Sequence, residues 1–311
     1  MKGIDNIFSV YDKSLKIASS RAQEFIQRHS QDINQVESLF ADEASRYLYA
    51  QEISYCALSQ ILRQDLVPYF TGLMTDSEFK TYVDSMRSNR LFSLFAAPST
   101  DDSDFYKAID MTATFMLEQY SYKDIVRVEE GDICIDGGAF IGDTALYFTE
   151  RKAKKIYAFE IDRENLKCLK TNITNFQKSE SIEIVEKALG RHTSTMSYVP
   201  TQGNISAGQI REICDNQKGY NVDVITIDDF CMTVDCIPNF IKLDVEGSEL
   251  DALNGSRAVI KKYRPKLAVC IYHTFEHRWE IPLLVHEICP DYRLYLKKSQ
   301  PHGETVLFAI L

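Results

Sequence analysis

The sequence predicts an α/β fold, an open and mostly parallel sheet flanked by helices, preceded by a helical region. Three observations carry this expectation. From about Gly131 short β-branched runs alternate with amphipathic stretches, which is the pattern of βαβ units. Before about residue 125 the apolar residues recur at helical spacing instead, as in Leu48, Tyr55, Leu58 and Leu62, then Leu66, Tyr69 and Phe70. The last two apolar runs, 292–296 and 305–310, are joined by the polar segment 297–303 with its Pro and Gly, which suits an antiparallel pair. A helical N-terminal domain or cap is therefore expected over 1–125 and the α/β domain over 126–311. A chain of 311 residues accommodates two such units at roughly 150 residues each.

In chain order, Pro68, the polar run 98–103 and the stretch after Gln119 break the helical half into several helices. Parallel strands are then expected at 132–136, 155–160, 182–187, 240–244 and 267–272, each a short apolar or β-branched run, with helices between most of them. The aromatic faces of the helical half serve packing, or a cap over a cleft.

Composition narrows the function. Thirty-five Lys and Arg against 45 Asp and Glu leave a net charge of -10, and with 45% apolar residues and only 13 Gly and 8 Pro the chain is an ordered globular protein. The negative field repels phosphate backbones, so nucleic acid is not expected as a partner. Charges interrupt the first twenty residues, unlike a signal peptide, and no apolar run approaches the ~20 residues of a membrane span. A cytoplasmic location is expected. The cysteines at 56, 134, 168, 214, 231, 236, 270 and 289 form no CxxC pair and read as free thiols.

The segment 133–144, Ile-Cys-Ile-Asp-Gly-Gly-Ala-Phe-Ile-Gly-Asp-Thr, runs from a buried strand through a glycine loop into a helix. It sets Asp136 at the carboxyl end of the first strand, where ligands of open α/β sheets bind. The loop is one residue from a dinucleotide fingerprint, with Ala139 in place of the second glycine. Asp136 and Asp143 would compete with a pyrophosphate for the positive end of the helix, which disfavours a nicotinamide-dependent oxidoreductase. A cationic nucleoside without phosphate, such as S-adenosylmethionine, suits the loop better. Glu160 ends the second strand, 24 residues after Asp136, where a carboxylate accepts both ribose hydroxyls. The third strand ends at 186–189, which includes Lys187 and Ala188, where backbone N–H groups and a polar side chain meet an adenine edge.

The run 239–249, Asn-Phe-Ile-Lys-Leu-Asp-Val-Glu-Gly-Ser-Glu, sets Asp244 at the tip of the fourth strand. Together with Asp136-x-Gly-x-x-x-Gly142, Phe159-Glu160, Leu253-x-Gly255 and Arg264-Pro265, it resembles the FkbM family of S-adenosylmethionine-dependent methyltransferases over about 120–311. The resemblance implies a Rossmann-like class I methyltransferase fold with a seven-stranded, mostly parallel sheet. It also implies methyl transfer to a hydroxyl of a sugar, glycan or secondary metabolite. Asp136, Gly138, Ile141 and Gly142 then form the methionine-side loop, Glu160 and Ile161 the ribose site, Lys187 and Ala188 the adenine edge, and Asp244 the acid beside the methyl. Asn165 and Asn172 match asparagines that follow the ribose acid. The family usually has Pro where this chain has Ile161, which changes stiffness more than chemistry. A module that binds the cofactor without turnover is the alternative.

Transfer to an alcohol requires donor and acceptor atoms about 3 to 3.5 Å apart and calls for a general base. Asp244, Glu246 and His273 are the candidates. Glu246 could instead cap the next helix, and His273 could simply bond a neighbouring acid. His273-Thr-Phe-Glu-His277 also fits the H-x-x-E-H zinc signature, but it directly follows a strand and only 34 residues remain, so no metal is expected. The segment 201–208 is a candidate lining of the acceptor pocket.

Overall fold

A computed structural model describes residues 16, 19–59, 75–98, 103–200, 208–211, 219–300 and 304–311. Its strands are β1 (Ile133–Gly137), β2 (Lys155–Phe159), β3 (Ile182–Val185), β4 (Ala188–Leu189), β5 (Ser194–Pro200), β6 (Gly208–Arg211), β7 (Tyr220–Ile225), β8 (Phe240–Leu243), β9 (Lys266–Cys270), β10 (Arg293–Lys298) and β11 (Thr305–Ile310). Seven of them form one sheet in the order β10-β11-β9-β8-β1-β2-β3. The run from β9 to β3 is parallel, and β11 is antiparallel to both of its neighbours. This is a Rossmann-like α/β sheet with the expected reversed pair at its end. Strand order lies outside what periodicity reports, and here β11 inserts between β9 and β10.

At the carboxyl rim the expected ends of β2, β3, β8 and β9 run one to two residues long, while β1 continues one residue past its expected end, to Gly137. Glu160 and Asp244 have left the strands there, their backbones turning into loops. A second sheet, β4-β7-β5-β6, was not expected. Its one sequence signal is the alternation in Tyr220-Asn-Val-Asp-Val-Ile225, where Val222 and Val224 are buried and Asn221 and Asp223 exposed. Of the expected pocket segment, 201–207 lies outside the described residues and Gly208 opens β6. Pro68, residues 99–102, Leu62, Leu66, Tyr69, Phe70 and Cys214 also lie outside them. The other seven cysteines are free and buried.

Side chains alternate across each strand, so β1 sends Ile135 to one face and Cys134 to the other. Residues before 125 help to cover both faces. Phe40, Tyr49 and Ile53 join Ile135, Ile241 and Val269 in one core, while Met86, Phe95, Met111 and Tyr120 join Cys134, Phe240 and Phe308 in the other. Helix Glu43–Ser59 covers the open edge of β10. Ala41 N–H donates to the Leu294 carbonyl at 2.8 Å, Leu296 N–H donates to Ser45 Oγ at 2.9 Å, and buried Lys298 donates to buried Glu52 at 2.8 Å. Covering the edge removes a template for intermolecular strand pairing. Among the described residues no helix is long and apolar enough to cross a membrane.

The glycine loop leaves β1 at Gly138, whose φ is +77° and where a Cβ would lie 1.8 Å from the Asp244 carbonyl oxygen. Gly138→Ala is therefore expected to destabilise the protein by about 3 kcal/mol or more, through left-handed strain plus a backbone clash. Urea unfolding checks this, and an unchanged midpoint contradicts the loop geometry.

Candidate active site

The register of β1 on β8 aligns Asp136 with Lys242. Lys242 Nζ lies 3.1 Å from Asp136 Oδ1 and donates to the carbonyls of Gly137 at 3.1 Å and Gly138 at 2.6 Å. Both side chains are essentially inaccessible. Burial pushes the Asp136 carboxyl up to about 6, against the pull of Lys242. Burial also disfavours the Lys242 ammonium, but Asp136 and Asp244 outweigh it and raise its affinity for the proton. Lys242 was not singled out from sequence, although a charged residue within an apolar strand was the available signal.

Over the carboxyl ends of the strands lies a cavity of roughly 970 Å³, open mouth included. Its lining includes Gly138, Phe140, Glu160, Ile161, Asn165, Lys187, Ala188, Tyr198 and Ile210. Asp110, Thr114, Gln119, Tyr120, Asp143, Lys242, Asp244, Glu246, Tyr272 and Glu304 line it too. Gly138, Glu160, Ile161, Lys187, Ala188, Asp244 and Glu246, all expected from sequence, thus share one crevice. Asp136, Ile141, Gly142 and His273 stand behind its wall. Asp136 reaches the crevice only through Lys242. The Ile141 carbonyl accepts from Asn172 Nδ2 at 2.8 Å, and Asn172 also donates to the Ala96 carbonyl at 3.0 Å, tying the loop to the helical region. Gly142, with φ +90°, enters helix Asp143–Glu150, and a Cβ there would meet Leu169 Cδ1 at 2.6 Å.

Sequence reasoning gave no chemical part to the first 125 residues. Thr114 nevertheless donates to Asp143 at 2.7 Å, and the Tyr120 hydroxyl donates to Asp244 at 2.7 Å. These contacts join residues far apart in the chain and leave no local pattern to read.

Glu160 is buried, and its Oε1 accepts the N–H groups of Ile161 and Asp162, both at 2.7 Å. Burial pushes its carboxyl up to about 7, the backbone amides offsetting only part of this. Asp244 Oδ1 accepts from the Tyr272 hydroxyl at 3.3 Å and lies 3.4 Å from His273 Nε2. Burial holds the Glu246 carboxyl above the usual range, and nearby His273 opposes the shift. Burial and neighbouring acids also raise Asp110 and carry Glu304 up to about 8. Glu246 caps no helix: the amides of Val245 and Gly247 are taken by Glu249 Oε1 at 2.8 and 3.4 Å.

Among the described residues Asp244, Glu249 and His273 bring potential metal-binding atoms within 4.8 Å of one another. Glu249 Oε1 accepts from Val245 N–H, whereas both His273 nitrogens, Glu249 Oε2 and His277 Nδ1 are buried without a hydrogen-bond partner among the described residues. His273 Nδ1 lies 2.9 Å from Glu249 Oε1, and His277 Nδ1 lies 3.3 Å from Glu249 Oε2. The H-x-x-E-H stretch lacks the helical setting of the zinc signature, because His273 precedes the helix, which begins at His277.

The methyltransferase FkbM domain model matches residues 136–300, more than half of the chain. The chain belongs to the FkbM methyltransferase family. No curated protein sequence matches it. A crystal structure of methyltransferase FkbM from Methylobacillus flagellatus KT is 22% identical with a TM-score of 0.59, over 92% of this chain and 60% of that one. The chain thus spans 60% of the length of that relative, and the likeness shows a shared fold. Weaker likenesses include precorrin-6y C5,15-methyltransferase from Geobacter metallireducens GS-15, at 10% identity, 64% of this chain, 88% of that chain and TM-score 0.39. Fibrillarin from Aeropyrum pernix, crystallised with S-adenosyl-L-methionine, gives 11%, 63%, 74% and 0.39. Neither TM-score is high enough to carry weight.

The Asp136 and Lys242 pair generates a stability test for this FkbM chain. Asp136→Asn leaves Lys242 buried without its facing charge and is expected to cost about 3–5 kcal/mol, much of it recovered in Asp136→Asn/Lys242→Met. Urea unfolding of wild type and both variants measures this. Equal stability of wild type and Asp136→Asn contradicts the buried pair.

Proposed function

We propose that this chain transfers a methyl group from S-adenosylmethionine to a hydroxyl of a small-molecule or glycan acceptor. The observation that carries the reading is that Glu160, Asp244 and Glu246 line one crevice. The donor set suits the cofactor: six carboxylates line the cavity (Asp110, Asp143, Glu160, Asp244, Glu246 and Glu304) against Lys187 and Lys242, an acidic surface matched to a sulfonium and an ammonium. The same excess disfavours a polyanionic acceptor such as nucleic acid. Bound there, S-adenosylmethionine supplies an electrophilic methyl on sulfur.

The residues divide the remaining work. Glu160 accepts the ribose hydroxyls, Ile161 flanks them, and Lys187 and Ala188 border the adenine. Asp136 holds Lys242, which fixes the carbonyls of Gly137 and Gly138, while Ile141 and Gly142 shape the turn behind them. Asp244, fixed by the hydroxyls of Tyr120 and Tyr272, presents its carboxylate beside the methyl. Glu246 takes the proton from the acceptor hydroxyl as the oxygen attacks. Tyr120, Gln119 and Thr114 also line the cavity, and exclusion of bulk water on binding favours a reaction in which charge is lost.

S-adenosylhomocysteine is expected to raise the melting temperature and NAD to leave it unchanged, since only a ligand of the native state stabilises it. The ionised form of Glu160 is the better ribose acceptor. Its carboxyl titrates near 7 in the free protein, so affinity for S-adenosylhomocysteine should rise between pH 6 and pH 8, flatten above, and lose this dependence in Glu160→Gln. Calorimetry across that range checks it, and a flat wild-type profile removes Glu160 from the site.

Glu246→Gln is expected to lower kcat by about 10² to 10⁴ and leave affinity for S-adenosylhomocysteine unchanged. The assay is transfer of labelled methyl to a panel of hydroxylated acceptors. Full turnover in the variant moves the base elsewhere, and cofactor binding without turnover on any acceptor favours the binding module.

A further inference from the structure

Behind the cavity wall His273 is enclosed by carboxylates on both edges of its ring. Its Nδ1 lies 2.9 Å from Glu249 Oε1, and its Nε2 lies 3.4 Å from Asp244 Oδ1 and 3.6 Å from Glu246 Oε2. Glu304, next to β11, is the remaining acid near the ring, its carboxyl pushed up to about 8 by burial and by Asp244 and Asp143. The Tyr272 ring lies beside the imidazole at 4.1 Å between centroids. The nearby ammonium, Lys242, is directed to Asp136 and the loop carbonyls. Glu249 is itself immobilised: it has no exposed surface, accepts from Val245 N–H at 2.8 Å, and faces His277 Nδ1 at 3.3 Å through its other oxygen.

A neutral imidazole has one N–H and one lone pair. With either tautomer, one edge of His273 would aim a lone pair at a carboxylate. Neither ring nitrogen makes a hydrogen bond of good geometry, but the carboxylates 2.9 to 3.6 Å from its two edges favour the positive charge of the imidazolium.

We propose that Glu249 is a positioning residue that fixes His273 as a doubly protonated cation, and that this cation favours the ionised form of Glu246 at the edge of the cavity. Burial disfavours the cation, but Glu249, Glu246 and Asp244 together raise the His273 proton affinity well above the ordinary imidazole value. His273 therefore has no lone pair with which to act as base, and the general base of the proposed methyl transfer is left to its carboxylate neighbours. The catalytic consequence rests on that functional reading; the charge state of His273 does not.

The test is an NMR titration of the full chain labelled at histidine, with the His273 signals assigned by their loss in His273→Gln. His273 is expected to stay protonated through pH 8 in the wild type. In Glu249→Gln its titration should fall by roughly 1 to 3 pH units. The acid limb of the pH profile for methyl transfer should move to higher pH in the same variant, because Glu246 loses the cation that favours its ionised form. A wild-type His273 that is neutral at pH 7, or a titration unmoved by Glu249→Gln, overturns the proposal. If Glu249→Gln does not fold, the wild-type titration alone decides. A protonated His273 in a chain that transfers no methyl group upholds the charge assignment and defeats the functional reading separately.

Discussion

The buried pair of Asp136 and Lys242 is the interaction on which the crevice depends. Two charges withdrawn from water are costly unless their geometry is good and their remaining bonds are met. Here the register of β1 on β8 sets the two residues side by side and Lys242 donates to the carbonyls of Gly137 and Gly138, whereas the Asp136 oxygens accept no hydrogen bond from the described residues and depend on the Lys242 charge. The pair thereby fixes the path of the chain as it leaves β1. Gly138 must then pass so close to the Asp244 carbonyl that no side chain fits. One ion pair so determines both the shape of the glycine loop and its distance from the tip of β8.

Outward from that pair the site is a graded arrangement of acids. Glu160 is held by backbone amides alone, Asp244 by two tyrosine hydroxyls and an imidazole, and Glu246 by the imidazole. Each carboxyl meets a different balance of burial and compensating donors, so chemically similar groups are suited to different tasks. The tyrosine on one side of Asp244 comes from the region before residue 125, which makes that region part of the site wall as well as of both cores.

Much of this was legible in the sequence because it is local. The alternation of short strands with amphipathic stretches located the sheet, and the position of Glu160 and Asp244 at strand ends located the rim that borders the cavity. The motif around Asp244 pointed to the family. What was not legible is contact between distant segments. Tyr120 and Asp244 are 124 residues apart, and nothing in the neighbourhood of either announces the other. Asp136 was assigned to the ligand surface when it stands one layer behind, because strand-end position does not say which side chain a partner strand will cover. His273 suggested a base by its ordinary proton affinity, which three carboxylates from other positions in the fold overturn. The small second sheet escaped notice because its strands are short and half polar.

A crystal structure of the chain grown with S-adenosylhomocysteine tests the central claim most directly. The account predicts the ribose against Glu160, the amino acid moiety over Gly138 and Lys242, and the sulfur directed toward Asp244 and Glu246. Nucleoside density away from Glu160, or a crevice that stays closed to the ligand at saturating concentration, would contradict it.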